Sequence, residues 1–122
     1  MAGYIKLDVE KLPTHAINTQ INTEIFTEFQ RKCKLRNLQM CTVIEVFMAQ
    51  YTKGKYEFNN DNIDKWKGYN GETSTLNTPV NKEIYLKFKD VVKSNGLFVK
   101  QVLHAFVEEF GKEDLIMEFV KE

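Results

Sequence analysis

The chain has 122 residues, 43% of them apolar and 28% charged, and its 17 basic and 17 acidic side chains cancel to a formal net charge of zero. That length predicts one domain, or two very small units sharing a core, and the composition is that of a globular chain rather than a disordered one. No apolar run approaches the roughly 20 residues of a membrane helix, so the sequence predicts no membrane span.

The opening "MAGYIKLDVEK" has no apolar h-region, which argues against a signal peptide and makes the cytoplasm the expected location. Residues 1–14 read as an N-terminal arm. Their "YIKLDVEKLP" alternates, and Pro13 sets it apart from the next segment; an extra strand and a flexible arm both fit.

Residues 15–53 form the first unit. It opens with a period-two run in which Ile17, Thr19 and Ile21 face one way and Ala16, Asn18 and Gln20 the other, the pattern of a half-buried strand. Asn22 then offers a helix N-cap, and Glu24 places a carboxylate where the helix dipole favours it. Ile25, Phe26, Phe29 and Cys33 recur at helical spacing, Asn37 is a residue type that accepts the left-handed conformation past a helix end, and Val43, Ile44, Phe47 and Tyr51 mark a second helix.

Residues 54–73 read as a linker, rich in glycine and asparagine and without a sustained period. Trp66, Tyr69 and Tyr56 within it could stack on a partner, but packing on the body of the protein is the favoured expectation.

Residues 74–111 then repeat the first unit. "LNTPVNKEIYLKF" from Leu76 restates "INTQINTEIFTEF" from Ile17, 59 positions earlier. Without a gap, 17–51 aligns with 76–110, with identities at Asn18/Asn77, Thr19/Thr78, Asn22/Asn81, Glu24/Glu83, Ile25/Ile84, Phe29/Phe88, Lys34/Lys93, Leu38/Leu97, Val43/Val102 and Phe47/Phe106. Leu76, Thr78 and Val80 oppose Thr75, Asn77 and Pro79, and Gly96 stands where the first copy has Asn37. The tail, 112–122, is acidic and carries Leu115, Ile116, Met117, Phe119 and Val120. It either caps the helical core or meets a partner.

Each copy thus reads strand, helix, helix. A lone strand leaves its backbone groups unpaired, and a bare two-stranded ribbon is marginal without helices on it. One copy cannot close a core; two can, with the strands paired antiparallel and four helices packed on the apolar face. The expected fold is mainly α with a short two-stranded antiparallel β-ribbon.

In order, spacing and the Asn-x-Glu helix start, 15–51 and 74–110 resemble the ribbon-helix-helix family of Arc/MetJ-like DNA binders, here as a tandem in one chain, an intramolecular pseudo-dimer. The tandem form is similar to duplicated accessory and regulatory proteins of conjugative plasmids. The resemblance implies double-stranded DNA as partner, no cofactor and no metal, and a ribbon inserted in the major groove. Base contacts would fall to Ala16, Asn18 and Gln20 and to Thr75, Asn77 and Pro79. Asn and Gln can bond the adenine edge and Thr a thymine methyl, whereas Pro79 and Ala16 depart from the family's habit of long polar residues. Phosphate would meet the starts of the second helices, at Leu38, Gln39 and Met40 and at Leu97, Phe98, Val99 and Lys100.

Zero net charge must be reconciled with such a partner. "RKCKLR" gathers Arg31, Lys32, Lys34 and Arg36, with Lys93 in the second copy, while the tail is acidic; a basic DNA-side edge and an acidic far end resolve the conflict. Covalent linkage raises the effective concentration of one half for the other to the order of mM and lets the halves diverge, with association of chains on DNA left open. The expected function is sequence-specific DNA binding, in transcription regulation or a plasmid or phage nucleoprotein complex. The alternative is an adaptor, such as an antitoxin, partition or relaxosome component, recruiting a protein through the tail. No paired His/Cys or Ser/His spacing, phosphate loop or metal cluster suggests an enzyme.

Overall fold

The computed structural model describes residues 13–58 and 60–112. Among them, seven elements succeed one another: β1 (Thr14–Asn22), α1 (Thr23–Leu35), α2 (Met40–Thr52), α3 (Asn60–Asp64), β2 (Thr73–Asn81), α4 (Lys82–Ser94) and α5 (Val99–Gly111). The architecture is mixed α and β, with one two-stranded antiparallel sheet covered by helices. None of the described helices is long and apolar enough to cross a membrane. The arm up to residue 12 and the tail from 113 onward lie outside the described residues.

The alternation in each strand sorts its side chains cleanly. Ile17 and Ile21 of β1, and Leu76, Thr78 and Val80 of β2, are buried beneath the ribbon, while Ala16, Asn18, Gln20, Thr75, Asn77 and Pro79 are exposed above it. Pairing runs from Thr14↔Asn81 to Asn22↔Thr73 and is centred on Asn18↔Asn77. These two asparagines are also equivalent positions of the repeat, so the ladder is symmetric about a pseudo-two-fold axis through its centre. Phe47 and Phe106, equivalent as well, stack at 4.0 Å with ring planes 11° apart. The axis therefore joins the outer face of the ribbon to the middle of the core.

Both first helices start the same way. The Asn22 side chain accepts from the Ile25 N–H at 3.1 Å and Asn81 accepts from Ile84 at 3.0 Å, satisfying donors that a helix start leaves orphaned. Both stop the same way too, at Asn37 with φ 55° and Gly96 with φ 73°, a conformation that asparagine tolerates and glycine adopts freely.

The copies close the core by crossing over. α1 packs on α5 and α2 on α4, so each first helix rests on the second helix of the other copy. The ring contacts are paired accordingly: Phe29 lies 5.3 Å from Phe110, and Phe88 lies 5.4 Å from Tyr51. Backbone bonds cross over as well. The Thr23 N–H donates to the Glu72 carbonyl at 3.3 Å, and Lys82 does the same to Pro13 at 2.9 Å.

The segment read as a linker is more structured than its composition predicts. It contains α3, which docks on α5, where the Gln101 side-chain amide donates to the Ile63 carbonyl at 2.9 Å. Ile63 and Trp66 are buried. The Tyr56 hydroxyl donates to Glu109 at 2.6 Å, and its ring meets Phe47 edge-on at 4.9 Å; burial and the Glu109 carboxylate push its pKa upward. Five residues carry no readable helical period, and tertiary docking supplies what propensity does not. The strand also begins earlier than the boundary at 74, since Thr73 is already paired with Asn22.

Candidate nucleic-acid interface

The outer face of the ribbon is built from non-adjacent residues of both strands, brought opposite one another by register. Three cross-strand pairs span it: Ala16↔Pro79, Asn18↔Asn77 and Gln20↔Thr75. All six side chains are exposed. A two-stranded ribbon has no interior strand, so Pro79, which has no N–H to give, is tolerated where its nitrogen faces outward.

One end of this face carries a hydrogen-bonded group. The Gln20 Nε2 donates to Thr75 Oγ1 at 2.9 Å, and Thr73 Oγ1 donates to Gln20 Oε1 at 3.0 Å. Thr73 was not among the positions singled out from the sequence. Extending the alternation Thr75–Asn77–Pro79 one step backward finds it. At the other end, Ala16 and Pro79 offer no side-chain donor or acceptor.

Beside the strands sit the starts of the second helices. A groove of about 270 Å³ runs along β1 from His15 to Thr19 and is closed by Tyr85, Val99, Lys100 and Leu103, so Val99 and Lys100 do flank the ribbon. His15 and Tyr85 stack in its wall at 3.9 Å, a pair that nothing in their sequence spacing announces. A larger groove, about 670 Å³, gathers Arg31, Lys34, Leu38, Gln39 and Met40 between α1 and the start of α2. No side chain caps α2, and at α5 the Gln101 side-chain oxygen Oε1 accepts from the Phe98 N–H at 3.3 Å. Leu97 is half-buried and Phe98 is exposed.

The basic residues divide. Lys34, Lys93 and Lys100 are exposed. Arg31 is exposed but forks onto Glu28 at 2.8 Å, a contact that raises the guanidinium pKa and lowers that of the carboxyl. Arg36 turns its guanidinium over the Phe110 ring at 5.9 Å. Lys32 does not belong to the exposed set, because only 2% of it is accessible. It lies three residues beyond Phe29 and next to Cys33, on the stripe that α1 buries, and helix geometry overrides the charge. Cys33 is buried there with its thiol pushed up to about 11 by desolvation, and Cys41 is half-buried; neither is in a disulfide.

Comparison with protein-family models, with curated proteins and with solved structures gave no match. The reading of this surface therefore rests on its own chemistry.

Proposed function

We propose that the chain is a sequence-specific double-stranded DNA-binding protein, a tandem ribbon-helix-helix in which β1 and β2 together enter the major groove. One observation carries the reading: a ribbon buried on one face presents, on the other, Asn18 and Asn77 side by side on a pseudo-two-fold axis, flanked by Gln20 and Thr75. A two-stranded ribbon fits the width of the major groove, and side-chain amides match the adenine edge. Exposed Lys34, Lys93 and Lys100 suit the phosphates on either side, and Lys32 drops out of that role.

The test is binding of the full chain to duplexes selected from a random pool, followed by fluorescence anisotropy. Replacing both asparagines (Asn18→Ala with Asn77→Ala) is expected to weaken binding to the selected duplex by about 1–3 kcal/mol for each asparagine–base pairing removed, with binding to unrelated duplex unchanged. Unaltered discrimination in that double variant would sink the proposal. Phosphate contacts are checked separately: Lys100→Ala should weaken all duplexes alike and make the salt dependence shallower.

A further inference from the structure

The pseudo-two-fold axis makes the two ends of the ribbon directly comparable. Ala16 is equivalent to Thr75, Pro79 to Gln20, and Thr14 to Thr73. At one end Gln20 is held between the hydroxyls of Thr75 and Thr73. A primary amide has two N–H donors and an oxygen with two lone pairs, so these bonds leave one donor and one lone pair of Gln20 unspent on the exposed face. At the other end, the threonine hydroxyl of the equivalent position remains as Thr14, but Ala16 and Pro79 have replaced the residues it would bond. Apart from the Thr14 hydroxyl, that end is methyl and methylene surface.

We propose that the ribbon reads a non-palindromic duplex in a single orientation, with an adenine edge under Gln20 and thymine methyl groups under Ala16 and Pro79. This rests on the DNA-binding reading above and deepens it. The Gln20 amide is positioned before binding, so little side-chain freedom remains to be lost when it contacts a base. An adenine edge accepts its free donor and supplies the donor for its free lone pair, whereas the apolar end gains from a thymine methyl and gives nothing to a donor–acceptor edge. Reversing the protein on its site would put the amide over a methyl group and apolar carbon over polar base edges, leaving buried polar groups unpaired on both sides. Asn18 and Asn77, on the axis, are indifferent to that reversal. Orientation is therefore decided by the ends.

Two substitutions separate the ends, which makes the proposal open to a direct test. Duplexes bound by the wild-type full chain are selected from a random pool, and two palindromes are then made by duplicating each half of the selected site. The wild type is expected to bind the selected site on the order of 10- to 100-fold more tightly than either palindrome. In the double variant A16T/P79Q, the second end regains what the first has, and the preference is expected to move to the palindrome built from the half-site under Gln20. The single variant A16T, which leaves the proline in place, should keep the wild-type order. A wild type that selects a palindrome would overturn the proposal with no variant needed, and so would a folded double variant that keeps the wild-type preference. Equal affinity for every duplex tested would overturn the DNA-binding reading itself, a result distinct from the other two.

Discussion

In the first copy, the N–H of the N-cap residue Asn22 donates to an imidazole, His104 Nε2, at 3.1 Å; in the second, the N–H of Asn81 donates to a carboxylate, Glu45 Oε1, at 2.6 Å. Glu45 and His104 are equivalent positions, each reaching from the second helix of one copy to the strand–helix junction of the other. The same substitution of chemistry recurs elsewhere. Tyr51 accepts from the Asn95 amide at 2.9 Å, and at the equivalent place Arg36 lies over Phe110. Position and partner are kept, and the kind of interaction is not. A symmetric pair of separate chains would have to satisfy both junctions with one residue type. Joined copies are released from that constraint, and the outer face of the ribbon has used the same freedom.

The comparison breaks most severely at the axis, where the copies carry the same residue. Phe47 and Phe106 are fully buried and stacked on each other. Phe47→Ala and Phe106→Ala should each cost about 3–5 kcal/mol in urea denaturation, and the double variant should cost less than the sum because both remove one shared contact. A fully additive result would show that the rings act separately.

The next effect separates the junctions. Asn81→Ala removes a helix cap at about 1 kcal/mol. Asn22→Ala should cost more, because the Asn22 Nδ2 also donates to Tyr69 Oη at 2.7 Å, and that hydroxyl donates in turn to the Glu72 carbonyl at 3.1 Å. Gly71 keeps this chain of bonds possible, since a Cβ there would collide with the Tyr69 ring and hydroxyl. Equal losses at the two caps would mean that the Tyr69 bridge contributes nothing. Tyr51→Phe, which deletes only the Asn95 bond, should cost about 1 kcal/mol on the same measurement.

The smallest effect distinguishes imidazole from carboxylate by pH. His104 accepts through Nε2, its Nδ1 lies 3.0 Å from the Lys100 carbonyl oxygen, and Trp66 stacks on it at 4.8 Å with Tyr69 at 5.4 Å. Burial lowers its pKa below the ordinary 6.5, against the opposing pull of the Lys100 carbonyl and of Glu108. The unfolded chain therefore takes up the proton first as pH falls. Stability from this group is present above about pH 6.5 and declines below it, with a ceiling near 1.4 kcal/mol per pH unit for one site. His104→Gln keeps an acceptor for Asn22 and should flatten that slope in denaturation midpoints taken between pH 7 and 5.

Local features were legible in the sequence because their causes are local. The alternation of Ile17, Thr19 and Ile21, the caps at Asn22 and Asn81, and the left-handed residues Asn37 and Gly96 each arise from a few neighbouring residues. The 59-residue offset supplied the pairing partner that no single strand reveals. What escaped was set by tertiary contact. α3 is too short to show a period and is held by α5, Lys32 is drawn inward by its place on α1 although its charge suggests the surface, and Thr73 acquires meaning only through Gln20 on the other strand. Glu45 and His104 were within reach of the offset, since it aligns them, but not the bonds they make across copies.

The crossed packing of α1 on α5 and α2 on α4 has a consequence for dosage. A ribbon assembled from separate chains comes apart on dilution, so at low abundance its occupancy of a target climbs roughly as the square of the amount made. Here both strands and the described helices that cover them belong to one chain, so the ribbon forms at any dilution and the amount of assembled ribbon climbs in simple proportion. A cell holding only a few copies would hold that many complete ribbons.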